Sequence, residues 1–185
     1  EQGDDLFGLH FLTGYESISD DSGGSPSFTA LEEQLGIRVH ILDCSREFEN
    51  TVVKYFYRQY QNGLTPNPCM VCNPQIKFGT LLKVARKLGA AYLATGHYAA
   101  SSRDDKNRYH LFAGRDSRKD QSYFLAMMSQ KQLASAVFPM AEMTKQGAYD
   151  LARKKGFTPL HRNESQDICF IPHKNYHDFL SCSFN

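Results

Sequence analysis

The 185-residue chain lacks tryptophan, holds only five cysteines, and carries almost no net charge. It also has no apolar run approaching the roughly 20 residues that a membrane-crossing helix needs, so no membrane span is expected. The first segment shows none of the basic start, apolar middle and small-residue end of a secretory leader. Lys and Arg number 21 against 20 Asp and Glu, a net charge of +1. A nucleic-acid partner would therefore meet a local basic face, not the chain as a whole. The five cysteines are odd in number and not spaced like a secreted disulfide framework. A reducing, cytoplasmic setting follows, with thiols that are free, catalytic or metal-bound. The rest, 41% hydrophobic and 22% charged, suits one domain with a sizeable core.

Apolar spacing organises the chain. Leu6 to Leu12 is an apolar run of strand length, and Thr13 to Ser27 reads as a long Ser-, Gly- and Asp-rich loop. Phe28 to Leu35 has helical spacing with Gly36 to stop it, and residues 37–42 alternate like a strand. Phe48, Val52, Val53, Phe56 and Tyr60 predict a helix over 46–61, ended by Gly63. A loop follows from Leu64 to about Pro74, then a helix from about Gln75 to Leu88. Ala91 to Thr95 predicts a short strand that delivers Gly96-His97-Tyr98 at its C-terminal end, and Tyr109 to Ala113 an edge strand. Further helices are predicted at 121–128, 130–136, 145–155 and 173–181. Strands alternating with helices predict an α/β fold with a mostly parallel sheet, and ligands in such sheets bind beyond the C-terminal strand ends. No internal repeat or interior linker breaks the chain, so residues 1–185 read as one domain.

The chemistry concentrates on cysteine. Residues 65–78 read TPNPCMVCNPQIKF, placing Cys69 and Cys72 at CxxC spacing, and Cys169 follows about a hundred residues later in Ile168-Cys169-Phe170-Ile171. CxxC lets two sulfurs face one point, as zinc, iron–sulfur and dithiol sites need. Three cysteines leave one metal position open, which suits reactivity better than a structural zinc knot. The plain alternative is a thiol pair that merely packs. Pro66 and Pro68 restrict the backbone ahead of the cysteines and argue against it. Cys169, in an apolar stretch, reads by itself more readily as an inert core thiol. Cys44 and Cys182 read as structural.

Three other stretches have two readings each. Gly96-His97-Tyr98 after a strand is either a plain turn or a cradle of backbone N–H groups for adenine or phosphate. Lys119, Asp120 and Gln121 close a polar cluster that begins at Arg115, which either grips phosphate or a base edge or is a solvated helix start with Asp120 as N-cap. Ser22 to Ser27 has the glycines of a pyrophosphate loop. It follows Asp20-Asp21 instead of a strand and contains Pro26, so it reads as a flexible loop.

TPNPCMVCNPQIKF closely resembles the TPNPxxxCNxxIKF segment of the tRNA-specific 2-thiouridylase family. The likeness continues through Leu88-Gly89-Ala90, Ala94-Thr95-Gly96-His97-Tyr98, the KDQSYFL run from Lys119 to Leu125, Phe138-Pro139-Met140 and Ile168-Cys169-Phe170-Ile171. It covers the chain from about Gly8 to Leu180, weakest from Thr13 to Ser27. The resemblance implies a Rossmann-like fold of the PP-loop ATP pyrophosphatase type and ATP-dependent transfer of sulfur to the wobble uridine of tRNA. It makes Cys72 the first catalytic cysteine and Cys169 the second, which carries a persulfide sulfur. Asn67, Pro68 and Cys69 fall where the family contacts the target base. Gly96, with His97 beside it, falls at an ATP contact, Phe11 near the adenine, and Lys119, Asp120 and Gln121 at a tRNA contact. ATP with magnesium as its counter-ion, tRNA, and a sulfur donor such as a cysteine desulfurase or sulfur relay protein are the implied cofactors and partners. Thiolate character at the two catalytic cysteines would be favoured by nearby Lys77.

Two departures from the pattern set further expectations. The family begins with a strand and an SGGxDS loop, and continues into C-terminal domains. This chain starts after the first and stops before the second, so it is expected to be part of the adenylation domain, truncated at its N-terminus and inactive alone. Many members also have Asp where this chain has Cys69. An all-cysteine iron–sulfur cluster on Cys69, Cys72 and Cys169 is the resulting second route for sulfur. Two more readings stay open: an adenylating or redox protein using the same thiols on another acceptor, and a non-catalytic module that binds tRNA or metal.

Overall fold

The computed structural model describes residues 5–16, 28–157, 168–171 and 176–181. The loop expected over Thr13 to Ser27 is described only as far as residue 16, and the Ser22–Ser27 stretch, Cys182 and the first residues of the helix expected at 173–181 lie outside the described residues. The chain divides into two compact units, residues 1–50 with 159–185, and residues 51–158.

In the first unit, β1 (Gly8–Leu12) and β2 (Val39–Asp43) pair in parallel, in a register that sets Phe11 against Leu42 and Leu12 against Asp43. Helix α1 (Phe28–Leu35) lies between them in sequence, as a parallel pair requires of its connection. Gly36, with φ of 66°, ends it. Beyond β2 comes α2 (Ser45–Phe48), where Asp43 accepts hydrogen bonds from the Ser45 N–H at 2.9 Å and its hydroxyl at 2.6 Å. The predicted 46–61 helix is observed as successive helical segments that run from the first unit into the second: α2, a wide-turned stretch over Glu49–Val53, and α3 (Lys54–Gln61), which belongs to the second unit. Most of its predicted apolar face is buried, with Phe48 and Val52 each 1% exposed and Val53 and Phe56 fully covered, while Tyr60 at its far end is only partly buried. Helix α8 (Tyr176–Ser181) completes the described part of the first unit.

In the second unit the helix that carries the cysteine motif starts earlier than its sequence suggests. Residues expected to be loop as far as Pro74 form α4 (Pro68–Cys72), a wide-turned stretch over Asn73–Leu81, and α5 (Leu82–Lys87). Pro68 at the first position explains the early start, since its fixed φ suits the first turn and its missing N–H is not needed there. Pro74 should end an α-helix. The chain instead continues with a wider turn, in which the Leu82 N–H reaches back five residues to Lys77 O. Gln132 secures this stretch, its Nε2 donating to Pro74 O at 2.6 Å and to Phe78 O at 3.1 Å.

Around that helix stand β3 (Leu93–Ala94) paired in parallel with β6 (Ala136–Val137), and an antiparallel hairpin of β4 (Ala99–Arg103) and β5 (Tyr109–Ala113). The predicted edge strand is thus half of a hairpin whose other half, Ala-Ala-Ser-Ser-Arg, carries no apolar alternation. The helix expected at 121–128 shrinks to a tight turn over Ser122–Leu125, and that at 130–136 to α6 (Gln130–Leu133), capped by a reciprocal Ser129–Gln132 pair. Helix α7 (Lys145–Lys154) matches its expectation, capped by the Thr144 hydroxyl, with the buried Asp116 carboxylate accepting from the Lys145 N–H at 3.0 Å. The core joins Phe78, Ala99, Leu125, Met128, Leu133 and Phe138. The two parallel pairs bear out the α/β expectation. No described helix is long and apolar enough to cross a membrane.

The wide turn makes Gly79 sterically necessary. A Cβ there would lie 2.8 Å from the Pro74 carbonyl oxygen, which Gln132 already holds in place. Gly79→Ala should therefore cost about 1–3 kcal/mol of stability, the usual range for overpacking. Gly96→Ala, whose Cβ would meet nothing within 4 Å, should leave stability nearly unchanged. Urea unfolding of the two variants checks the contrast.

Candidate active site

Helix α4 positions the two motif thiols differently. Cys72 faces the interior at 9% exposure, whereas Cys69 is exposed. Asn67 stands at the N-cap with an extended backbone, its carbonyl accepting from the Met70 N–H at 3.2 Å, and Pro68 is buried behind it. Lys77, partly buried on the wide-turned stretch, acts on both Cys69 and His97. At Cys69 the protein packed around the sulfur pushes the thiol up, and the Lys77 charge only partly offsets this. The lysine thus falls short of making Cys69 a ready thiolate. Cys44 is buried at 3% exposure and also pushed up, by burial first and then by the charges of Glu47 and Asp43, as its structural reading expects.

His97 is 9% exposed and packs edge-on against Phe138, with ring centroids 6.4 Å apart. Burial, then the Lys77 charge, lowers it to about 4, so the ring is neutral at pH 7. Thr95 Oγ1 lies 2.9 Å from its Nδ1. The adjoining Gly96 is exposed, with open space where a Cβ would point, so a ligand can approach its backbone. The Tyr98 N–H is engaged: it donates to Gln121 Oε1 at 3.1 Å, while the Gln121 N–H donates to Tyr98 O at 3.0 Å. The turn expected to cradle phosphate with its N–H groups is therefore tied through Tyr98 to the cluster expected to meet tRNA. In that cluster Asp120 accepts from the Ser122 N–H and hydroxyl, each at 3.0 Å, but the N-cap position of the turn over Ser122–Leu125 is held by Gln121 and not by Asp120 as expected. Lys119 is partly buried beside it.

One residue that sequence reasoning passed over joins these parts. Asn73, directly after Cys72, is 1% exposed, and its Nδ2 donates to Phe124 O at 3.0 Å. It binds the thiol helix to the KDQSYFL segment. Its Oδ1 is buried and finds no partner among the described residues. A polar residue inside a cysteine motif was the available signal, masked because the segment read as loop. Asn67, Pro68, Cys69, Cys72, Gly96, His97, Lys119, Asp120 and Gln121 all belong to the second unit, and Phe11 and Cys169 to the first. Phe11 is partly buried on β1, and Cys169 is exposed on a turn. A concavity of about 400 Å³ opens past the end of β2, lined by Asp43, Cys44, Ser45, Arg46, Glu47 and Asn50. Among the described residues no group of three or more His, Cys, Asp or Glu is placed to hold a metal ion. The iron–sulfur ligand set of Cys69, Cys72 and Cys169 gains no support and is not carried further.

Residues 22–173 match the family model described as the tRNA methyl transferase HUP domain. The chain belongs to that family. It is 45% identical over 180 residues to the tRNA-specific 2-thiouridylase MnmA of Desulfosudis oleivorans, covering 97% of this chain and 49% of that protein. It is 48% identical over 146 residues to the enzyme of the same name from Chloroflexus aggregans, covering 79% and 41%. It is 42% identical over 190 residues to MnmA 1 of Caldanaerobacter subterraneus, covering 97% and 52%. The chain thus spans about half the length of the curated relatives it matches. Family membership establishes the HUP-type α/β fold that the parallel strand pairs display.

Two measurements check the site's electrostatics. The folded-state value of His97 lies below its unfolded value, so the unfolded chain takes the proton first as pH falls. Stability is therefore lost from about pH 6.5 down to about 4. An NMR titration should show the His97 ring neutral until about pH 4, and a midpoint near the ordinary histidine value would contradict its burial. The rate of Cys69 alkylation against pH should turn up above the ordinary thiol range, and Lys77→Gln should move that inflection higher still. A downward move would remove Lys77 from the account.

Proposed function

We propose that the chain is the sulfur-handling part of a tRNA-specific 2-thiouridylase, converting a tRNA wobble uridine to 2-thiouridine. The observation that carries this reading is that a buried Cys72 and an exposed Cys169 occupy the two motif positions, in a chain 45% identical to a protein of that name. The family description speaks of methyl transfer. Methyl transfer has no need of two thiols set a hundred residues apart, whereas sulfur transfer has a use for both.

ATP, when bound, supplies the adenylyl group that turns the uridine C2 oxygen into a leaving group, and the open backbone face of Gly96 fits a nucleotide contact. Phe11 is the expected contact for the adenine. The remaining work falls to the chain's own side chains. Cys169, exposed, accepts a sulfur atom from a donor protein and holds it as a persulfide. Cys72, as thiolate, attacks the Cys169 Sγ; a Cys72–Cys169 disulfide forms and hydrosulfide leaves to attack C2. Two equivalents of an external thiol then reduce the disulfide through a mixed disulfide and leave as their own disulfide, which restores both cysteines and balances the electrons. Asn67, Pro68 and Cys69 meet the target base, and Lys119, Asp120 and Gln121 meet the tRNA. Cys69, kept as a neutral thiol, acts as a contact and not as the nucleophile. These residues form part of one PP-loop adenylation and thiolation domain acting in the cytoplasm.

In the intact protein, Cys72→Ser and Cys169→Ser should each lower 2-thiouridine in tRNA by about 100-fold or more, as loss of a covalent nucleophile does. Cys69→Ala should retain most of it. Mass spectrometry of tRNA nucleosides decides. Full 2-thiouridine with Cys169→Ser would end the sulfur-carrier reading, and a methylated uridine in its place would favour methyl transfer.

A further inference from the structure

Cys169 stands on a turn closed by the Ile171 N–H, which donates to Ile168 O at 3.1 Å. Its side chain is exposed, while the next residue, Phe170, is 2% exposed. Three rings enclose Phe170: Phe48 at 5.6 Å, Phe179 at 5.6 Å and Tyr15 at 5.9 Å between centroids. Tyr15 also meets Phe48 at 6.3 Å and Phe179 at 6.0 Å, so the four rings form one cluster. Tyr15 brings a polar handle to it, its hydroxyl donating to the Glu49 carboxylate. Its backbone is held as well. The Tyr15 N–H donates to Thr13 Oγ1 at 3.2 Å, and the Glu16 carboxylate accepts from the Thr13 N–H and hydroxyl and from the Gly14 N–H. All of these residues lie in the first unit.

We propose that Tyr15 is a positioning residue for Cys169: it clamps Phe170 between Phe48 and Phe179 and so presents the Cys169 sulfur outward on a fixed turn. The proposal rests on the reading of Cys169 as the sulfur carrier. A residue that receives sulfur from one partner and yields it to another needs access and a constant location together. A sulfur on a loose turn has the first without the second, and misplacement by an ångström is enough to slow a transfer sharply. An exposed cysteine on a buried aromatic foot has both. Tyr15 lies three residues past Leu12, the end of the strand that carries Phe11. One short segment therefore ties the strand expected to face the nucleotide to the turn that carries the sulfur. Tyr15 also falls in the stretch where the likeness to the family is weakest, so no motif assigns it.

The test compares Tyr15→Ala with Tyr15→Phe in the intact protein. Hydrogen exchange at the Ile171 amide reports the turn, and kcat and KM for tRNA thiolation report the transfer. Tyr15→Ala should speed exchange at Ile171 by about tenfold or more while leaving amides of β1 and β2 unchanged, since a released turn opens locally. It should lower kcat by about tenfold with KM for tRNA within about twofold. Tyr15→Phe keeps the ring and should recover most of both. Should Tyr15→Ala fail to fold, Tyr15→Leu keeps the bulk without the ring, and the same readouts apply. Unchanged exchange at Ile171, or a loss confined to KM, overturns the proposal. Normal thiolation by Cys169→Ser would instead overturn the functional reading, and exchange at Ile171 would still decide whether Tyr15 anchors the turn.

Discussion

Pro74 has no N–H to donate, yet it stands inside the helical run that carries Cys72 at one end and Phe78 in the core. An α-helix would break there. The run survives because its turn widens, Gly79 leaves room for the Pro74 carbonyl, and the Gln132 amide holds that carbonyl and the one at Phe78. The rest of the second unit depends on this accommodation. Phe78 reaches Phe138, with centroids 6.2 Å apart, only because the run continues past the proline, and Phe138 in turn backs His97. Asn73, one residue before the proline, fastens the same stretch to Phe124. The thiol helix is thus set by its neighbours more than by its own propensity.

That placement divides the cysteines by environment. Cys72 is shielded, Cys69 is exposed but held as a neutral thiol, and Cys169 is offered outward on an aromatic foot. Charge is used sparingly. Lys77 is a positive charge felt by both Cys69 and His97, and burial outweighs it at the first while reinforcing it at the second. A neutral His97 beside the exposed Gly96 keeps extra positive charge away from that turn. The pairing of Tyr98 with Gln121 gives the turn and the polar cluster a common backbone. Movement at one would be felt at the other.

The sequence was most readable where apolar spacing was regular. Phe48, Val52, Val53 and Phe56 announce a buried helical face, and the structure buries all four. Leu6 to Leu12 and residues 37–42 announce strands, and the strands observed there, β1 and β2, pair in parallel. Reading failed where the controlling contact is distant in sequence. Pro74 looked like the end of a loop because the Gln132 amide that rescues it lies 58 residues away. Ala99 to Arg103 shows no strand pattern; it becomes a strand because Tyr109 to Ala113 folds back on it. The motif cysteines were legible by kind and spacing, but not their unequal burial, which comes from helix α4 beginning at Pro68. Tyr15 offered no signal, since its partners Phe48, Phe170 and Phe179 are assembled only by the fold.

The central claim is that sulfur is carried on Cys169 and released through Cys72, with Cys69 as a base contact that carries no sulfur. The most direct measurement is to load the intact protein with a sulfur donor under anaerobic conditions, cap its thiols, and identify by peptide mass spectrometry which cysteine bears one extra sulfur atom. The account predicts a persulfide on Cys169, accumulating further when Cys72 is replaced by serine because its release is then blocked. Loading on Cys69, or no accumulation on Cys169 in the Cys72→Ser protein, would contradict it.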